Sequence, residues 1–479
     1  MSDENPGILP LPSEHFLNLP RPDIIIGTAD GVPDTSTLAA HDFDVDTRTG
    51  FMPPQPPISR LPPAWEPWEL VLEAAITKKL QLGGKPNLTA AEAARSALWR
   101  SSVREMPILP IEDLTNSELL LRRAHHVLVF TMHFYIHTLS LGADIRIPAS
   151  ITVPLLEVSA ELQIPPVCTY SDDILYNWDL KTPSSDDIPA LDNLRSQTLF
   201  TGTTDEEEFY LASSRIELRG VEALELMQAT MDEMFVGDDI AIRRISGYLH
   251  KLASVINDLK SILLNVRKGC DPEFFYHSIR PWFRGQDSDP THRTWFFEGL
   301  DEHPELGPPT DLSGPSAGQS AIIHSLDIFL GLDNCNFTDD GSLTTDQRAL
   351  LHKMQRYMPR HHRNFLRHLS TNSRSVRTLM RSNPSSSSRS GELDADLLEG
   401  YNAAVRAVKE FRDAHLRIVA IYIIGPASRE RTKRAKEEES GRSVPPLKGT
   451  GGTNLMQFLK GVRDKTTDAL IPESPQSPS

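Results

Sequence analysis

Between Asp238 and Val266 the apolar residues fall at Ile242, Ile245, Leu249, Leu252, Ile256, Leu259, Leu263 and Val266. The steps alternate between three and four without a slip. That spacing lays one buried stripe along a helix of about 28 residues and suits no strand, whose faces alternate every second residue. Asp238 or Asp239 can cap its start, and Gly269 follows its end. A second stripe runs through Tyr401, Ala404, Val408, Phe411, His415, Ile418 and Tyr422. Shorter helical patterns cover roughly 67–82, 89–104, 113–141 and 150–162, and a proline-broken acidic stretch follows from about 180 to 205. "DIIIGT" at Asp23 is the only strand candidate. The chain is expected to be all-α.

Thirteen of the 37 prolines lie within the first 67 residues, including "GFMPPQPPISRLPP" from Gly50 to Pro63. That density forbids helix and favours an extended strap. Phe43, Val45, Phe51, Leu61, Trp65 and Trp68 give the strap apolar surface with which to dock. The expected division is a flexible arm over 1–42, a small helical domain over 43–200 and a large helical domain over 201–479. Flexible insertions are expected at about 382–394 ("SNPSSSSRSGELD") and 428–447 ("SRERTKRAKEEESGRSVPP"), where apolar periodicity is lacking. A net charge of −16 argues against a general affinity for nucleic acid. Three scattered cysteines, Cys168, Cys270 and Cys335, form no disulfide or zinc pattern, which suits a reducing compartment. No apolar run approaches a membrane span and no leader pattern opens the chain, so a cytoplasmic protein is expected.

Four segments could carry chemistry. "YMPRHHRNFL" (Tyr357 to Leu366) sets two histidines one turn after a helix-starting proline. Adjacent helical residues point about 100° apart, so His361 and His362 cannot both face one ligand. "DPEFFYHSIRPWFRG" (Asp271 to Gly285) spaces Tyr276 and Arg280 four apart beside Phe275. An arginine among aromatic rings can grip a carboxylate bidentately while the rings stack on an aromatic substrate. "SGPSAGQSAIIHSLDIFLG" (Ser313 to Gly331) opens with small residues that allow close backbone approach to a flat ligand. "KGTGGTNLMQFLKGVRD" (Lys448 to Asp464) reads as a glycine hinge with Thr450 and Thr453 ahead of an amphipathic helix, a candidate lid. Taken singly, each segment is also compatible with a merely structural role.

Together, "FYHSIRPWFRG", "GPSAGQSAIIHSLDIFLG", "RYMPRHHRNFL" and "KGTGGTNLMQFL" resemble, in order and spacing, the indoleamine 2,3-dioxygenase family. "GFMPPQPPISRLPPAWEPWE", "IPPVCTYSDDILYNW" and "FEG" at Phe297 extend the resemblance from about Phe43 to Leu470. It implies a two-domain helical fold with haem b bound in the larger, C-terminal domain. It implies His362 as the single iron ligand, with His361 a neighbour. By the same resemblance, Ser316, Ala317 and Gly318 line the haem edge, and Arg280 takes the substrate carboxylate. Phe275 and Tyr276 pack the indole, Ser213 stands near the indole nitrogen, and Phe134 stands where some members carry tyrosine. Thr450, Gly451, Gly452 and Thr453 close over the substrate, and Asp327 is expected to hold a basic residue or a propionate network.

The implied reaction inserts both atoms of O2 across the indole C2–C3 bond of L-tryptophan to give N-formylkynurenine, the first step of the kynurenine route toward NAD. The implied partners are L-tryptophan, O2 and an electron donor that keeps the iron ferrous, with no nucleic acid or membrane and a monomeric chain. Two other readings compete. His277, three residues before Arg280, suggests a peroxidase-type distal acid–base group. A haem or indole sensor descended from the enzyme fold would keep the pocket without turnover. His415, on its apolar stripe, reads as a core histidine.

Overall fold

The computed structural model describes residues 43–183, 189–289, 291–332, 353–371, 376–381, 391–437 and 455–472. Their architecture is all-α. In chain order the helices are α1 (Glu66–Thr77), α2 (Ala90–Glu105), α3 (Glu118–His137), α4 (Ala149–Leu162), α5 (Thr204–Arg219), α6 (Val221–Val236) and α7 (Asp239–Asn265). There follow α8 (Pro272–Phe274), α9 (Ala321–Phe329), α10 (Arg360–Ser370), α11 (Val376–Arg381), α12 (Gly391–Val419), α13 (Gly425–Glu437) and α14 (Leu455–Asp468).

The long stripe forms α7 as its spacing predicts. Asp238 caps it by accepting from the Ala241 amide at 2.7 Å. Ile242, Ile245, Leu249 and Leu259 are fully buried. They face α12, whose Tyr401, Ala404 and Val408 bring the second stripe onto the first. Each such aliphatic side chain contributes roughly 1.5–3 kcal/mol when it leaves water, so this one helix pair anchors the C-terminal half. His415 sits on α12, where burial lowers its pKa to about 4, in keeping with a neutral core histidine.

A second, larger core gathers α1 to α5 and the segment around Phe275 to Phe283. Its centre is α3, capped by Ser117 and buried on nearly every face from Leu121 to Ile136. A helix buried all round has no exposed side, and α3 is covered by α1, α4 and the turn at Arg280–Phe283. The strap over 43–62 is extended, as its prolines require. The Asp46 carboxylate accepts the amides of Arg48 and Thr49, and a bridge to Gly50 closes a tight turn in which Gly50 takes φ 66°. That turn aims Val45 and Phe51 inward, onto Ala321, Ile322, Met358 and Leu366.

Two expectations need correction. The chain contains short strands: β1 (Ile145–Ile147) pairs in parallel with β4 (Trp295–Phe297), and β2 (Trp178–Leu180) is antiparallel to β3 (Leu194–Ser196). Three residues are too few to display an alternating pattern. The charged stretch from Ser428 is helical as far as Glu437, in α13, because Arg, Lys, Ala and Glu all favour helix even without an apolar stripe. Likewise Gly391–Asp394 are helical and open α12. The candidate strand at Asp23 lies outside the described residues, as does the remainder of both expected insertions.

Candidate active site

The paired histidines divide cleanly. Pro359 takes the N-cap position of α10, so His361 and His362 occupy its first turn. His361 Nε2 meets Glu118 Oε2 at 3.0 Å, and Arg360 donates to the same oxygen at 2.7 Å. Burial works against the charge on Glu118, yet His361, Arg122 and Arg360 hold its carboxyl well below the usual range. His362 turns the other way and is fully buried. Its ring meets Phe51 edge-on at 4.9 Å between centroids, in the wall of Val45, Phe51, Ala321, Ile322, Met358 and Leu366.

Among the described residues no hydrogen bond of good geometry reaches either ring nitrogen of His362, although the Asp44 backbone lies close enough to favour its charge. Burial lowers its pKa to about 3, with Asp44 opposing the shift. A neutral, buried imidazole with a free lone pair before a flat apolar wall fits a haem iron ligand.

The aromatic and cationic groups come from one segment. Asp271 caps it, accepting from Phe274 N at 2.8 Å, and Pro272 starts the turn. From Phe275 to Ile279 the helix widens to a π-turn, then tightens into a 3-10 turn over Arg280–Phe283 at Pro281. Such widened turns often mark functional positions. The widening keeps Phe275, Tyr276, Ile279 and Arg280 buried together and leaves His277 outside. Arg280 Cζ lies 5.7 Å from the centre of the Tyr276 ring. Burial, with Arg284 nearby, lowers the Arg280 guanidinium to about 10, so it stays charged at neutral pH. Phe275 packs on Phe209 at 4.5 Å and edge-on against Tyr422 at 5.6 Å. His277 pairs with Glu273 at 3.3 Å, and its side chain is 48% exposed. It therefore does not supply the distal acid–base group that peroxidase chemistry would use.

Ser213 lies on α5 one turn after Phe209 and one turn before Glu217. The small-residue loop is tied to the same helix at Glu217. Ser316 caps a short 3-10 turn, its Oγ accepting from Gly318 N at 3.2 Å, and His324 Nε2 meets Gly318 O at 2.9 Å. This loop is tied on three sides. Ser320 donates to Glu217 at 2.6 Å, Tyr357 accepts from Ser313 N at 2.9 Å, and Gly314 lies flush against Phe283. A Cβ on Gly314 would stand 1.9 Å from Phe283 O, and one on Gly285 2.1 Å from Leu312 O. The distal turn and the loop thus meet backbone to backbone.

The structure therefore brings Phe275, Tyr276 and Arg280 onto one turn, which meets α5 through Phe209 and the small-residue loop through Gly314. Phe134 goes elsewhere. It is fully buried behind the turn, against Phe200 and Trp282 at 5.1 Å each and Trp99 at 6.2 Å. On a helix buried all round, an aromatic residue can face any side, and this one faces the core. Thr450, Gly451, Gly452 and Thr453 lie outside the described residues. Asp327 holds Arg412 through two contacts, at 2.5 and 2.6 Å, so a basic residue is its partner.

Two residues of the region escaped the sequence reading. Glu217 accepts from Tyr170 OH at 2.9 Å as well as from Ser320, and burial raises its carboxyl to about 7. Its signal was a lone glutamate four residues after Ser213 on the inner face of a helix. Arg284, four residues beyond Arg280, is the second.

The comparisons place the chain in a class of haem dioxygenases. The indoleamine 2,3-dioxygenase family model matches residues 39–469. Indoleamine 2,3-dioxygenase 1 of Rattus norvegicus is 30% identical over 435 residues, covering 90% of this chain and 95% of the rat protein. The indoleamine 2,3-dioxygenase of Saccharomyces cerevisiae is 32% identical over 391 residues, 77% of this chain and 82% of the yeast protein. A 6-hydroxytryptophan 2,3-dioxygenase of Fusarium equiseti is 30% identical over 447 residues, 91% of this chain and 99% of its own. The chain belongs to the indoleamine 2,3-dioxygenase family, haem-dependent oxidoreductases of tryptophan catabolism. Among the described residues no helix is long and apolar enough to cross a membrane.

Proposed function

We propose that this protein cleaves the indole C2–C3 bond of L-tryptophan with O2 and releases N-formylkynurenine. The observation that carries the reading is Arg280, buried and charged beside Tyr276 and Phe275. An arginine among aromatic rings can grip a carboxylate bidentately while the rings stack on an aromatic substrate, so such a turn suits an aromatic ring that bears an acid. His362 would hold haem b through its buried imidazole. When bound, the haem supplies the iron that takes O2 and carries the redox change. The chain does the rest. Arg280 orients the carboxylate, Phe275 and Tyr276 clamp the ring and exclude water, and Ser213 Oγ accepts from the indole N–H. Ser316, Ala317 and Gly318 let backbone approach the haem edge, and Thr450 to Thr453 cover the amino group.

The same reading makes the protein a cytoplasmic monomer that draws electrons from a reductant, with the haem in the domain over 201–479. The Fusarium relative's name points to a ring-hydroxylated substrate, so 6-hydroxytryptophan belongs in the assay beside L-tryptophan.

The test supplies L-tryptophan and isotopically labelled O2 to the reduced holoenzyme and weighs the product. Two labelled oxygens in N-formylkynurenine are expected; haem binding without product would make the protein a sensor instead. In parallel, His362→Ala should lose stoichiometric haem and the Soret band while His361→Ala keeps both. The reverse result would move the iron to His361.

A further inference from the structure

Ser320 holds the N-cap position of α9, where a serine hydroxyl ordinarily accepts a helix amide. Here it caps nothing and instead donates to Glu217 Oε1 at 2.6 Å. The same oxygen accepts from Tyr170 OH at 2.9 Å. A second tie runs beside this one: Gln319 Oε1 accepts from Tyr170 N at 2.8 Å, and Gln319 Nε2 donates to Gly314 O at 3.1 Å. Tyr170, Glu217, Gln319 and Ser320 are all buried. The end of the small-residue loop is thus latched to α5 and to the segment at Tyr170, in place of a helix cap. What the latch holds follows directly in sequence. Ala321 and Ile322 join Phe51, Met358 and Leu366 in one wall, and His362 meets that wall at Phe51. A Cβ on Gly220, three residues beyond Glu217, would stand 2.8 Å from Ile322 Cγ1, so the end of α5 also touches α9.

A carboxyl group makes this latch sensitive to its own proton. The second oxygen of Glu217, Oε2, is buried and meets no hydrogen-bond partner among the described residues. A neutral acid is tolerated there, whereas a carboxylate leaves an anionic oxygen bare and out of water. Burial raises the carboxyl to about 7, and the donors Ser320 and Tyr170 oppose the shift. Among the described residues no cation acts on it. On α5, Arg215 is turned to Glu208, and Arg219 to Glu222 and Asp258. From the other elements Tyr170 is the titratable group that meets it; Asp173 acts on that tyrosine, and His324 meets Gly318 O.

We propose that Glu217 is a positioning residue of the haem seat: as a neutral acid it latches Ser320 and so fixes the wall at Ala321 and Ile322, and loss of its proton loosens the latch. When the proton leaves for solvent, Oε2 takes water as its partner and the loop opens more readily. The inference rests on the reading above for the haem, and on the hydrogen bonds alone for the latch.

The experiment follows hydrogen exchange of the amides from Ala317 to Ile322 in holoenzyme of wild type, Glu217→Gln and Ser320→Ala. Each rate is divided by the intrinsic rate at its pH, and haem transfer to apomyoglobin is timed on the same samples. Between about pH 5.5 and 8.5 wild-type protection should fall by about 10- to 30-fold, the response of an acid that titrates near 7 when latched and near 4.5 when hydrated. Glutamine keeps an acceptor for both hydroxyls and takes no charge, so Glu217→Gln should show no such response. Ser320→Ala cuts the loop from the latch; its protection at low pH should drop by about 5- to 10-fold and then stay flat. The ratio of haem transfer rates, wild type over Glu217→Gln, should rise with pH, since acid release of haem is common to both and cancels. Protection that is flat in wild type, or that falls equally in Glu217→Gln, overturns the proposal. Should Glu217→Gln fail to fold, a full pH response persisting in Ser320→Ala overturns it instead. A constant transfer ratio beside a responsive loop overturns the role in the haem seat. Absence of N-formylkynurenine in the labelling assay would sink the functional reading while both readouts of Glu217 still stand.

Discussion

His361 and His362 differ by one position and share a helix, yet one is an ion-pair partner and the other a buried neutral base. The difference is geometric: 100° of rotation turns one toward Glu118 and the other toward Phe51. Sequence spacing establishes that only one can serve, and only the resemblance chose which. Glu217 makes a different point. An unfolded glutamate titrates near 4.5, and burial raises the folded value to about 7 although Ser320 and Tyr170 donate to it. The folded chain therefore holds this proton more tightly than the unfolded one. The stability it contributes is full below about 4.5 and is lost as the pH rises toward 7. Urea melts from pH 5 to 8 should show Glu217→Gln gaining on wild type with rising pH, by on the order of 3 kcal/mol in total. A pH-independent gap between the two proteins would mean the carboxyl is already ionised in the fold.

At the scale of elements, what was legible follows from periodicity and what was missed follows from its absence. α7 and α12 were plain because an apolar stripe repeats many times along each. The π-turn at Phe275–Ile279 was not, because one extra residue in one turn leaves no repeat to detect. Tyr276 and Arg280 were expected four apart on an ordinary face, and the wider turn buries both while expelling His277. The β pairs and the helical run from Ser428 to Glu437 in α13 were missed for the reasons of length and propensity given above. The glycine seam yields a sharp expectation. Gly314→Ala and Gly285→Ala each drive a methyl into a carbonyl oxygen that cannot move away, and each should cost about 3 kcal/mol or more, or abolish soluble protein. Gly142→Ala, with nothing within 4 Å of the added carbon, should be close to neutral. Thermal melts of the three variants decide this, and a stable Gly314→Ala would show that the two segments can part.

For the whole molecule, two cores divide the labour. The α7–α12 pair supplies rigidity in the C-terminal half, while the core around α3 backs the aromatic turn. Between them the strap closes the wall behind His362 with Val45 and Phe51. Phe51→Ala should therefore leave most of the melting transition in place but speed transfer of haem to apomyoglobin several-fold; an unchanged transfer rate would show that the strap is not part of the haem seat. The strap also sets an order in the making of the protein. Phe51 leaves the ribosome more than 300 residues before His362, so a nascent chain exposes one wall of the seat long before the residue opposite exists. With His362 as the proposed iron ligand, capture of haem would have to wait for nearly complete synthesis.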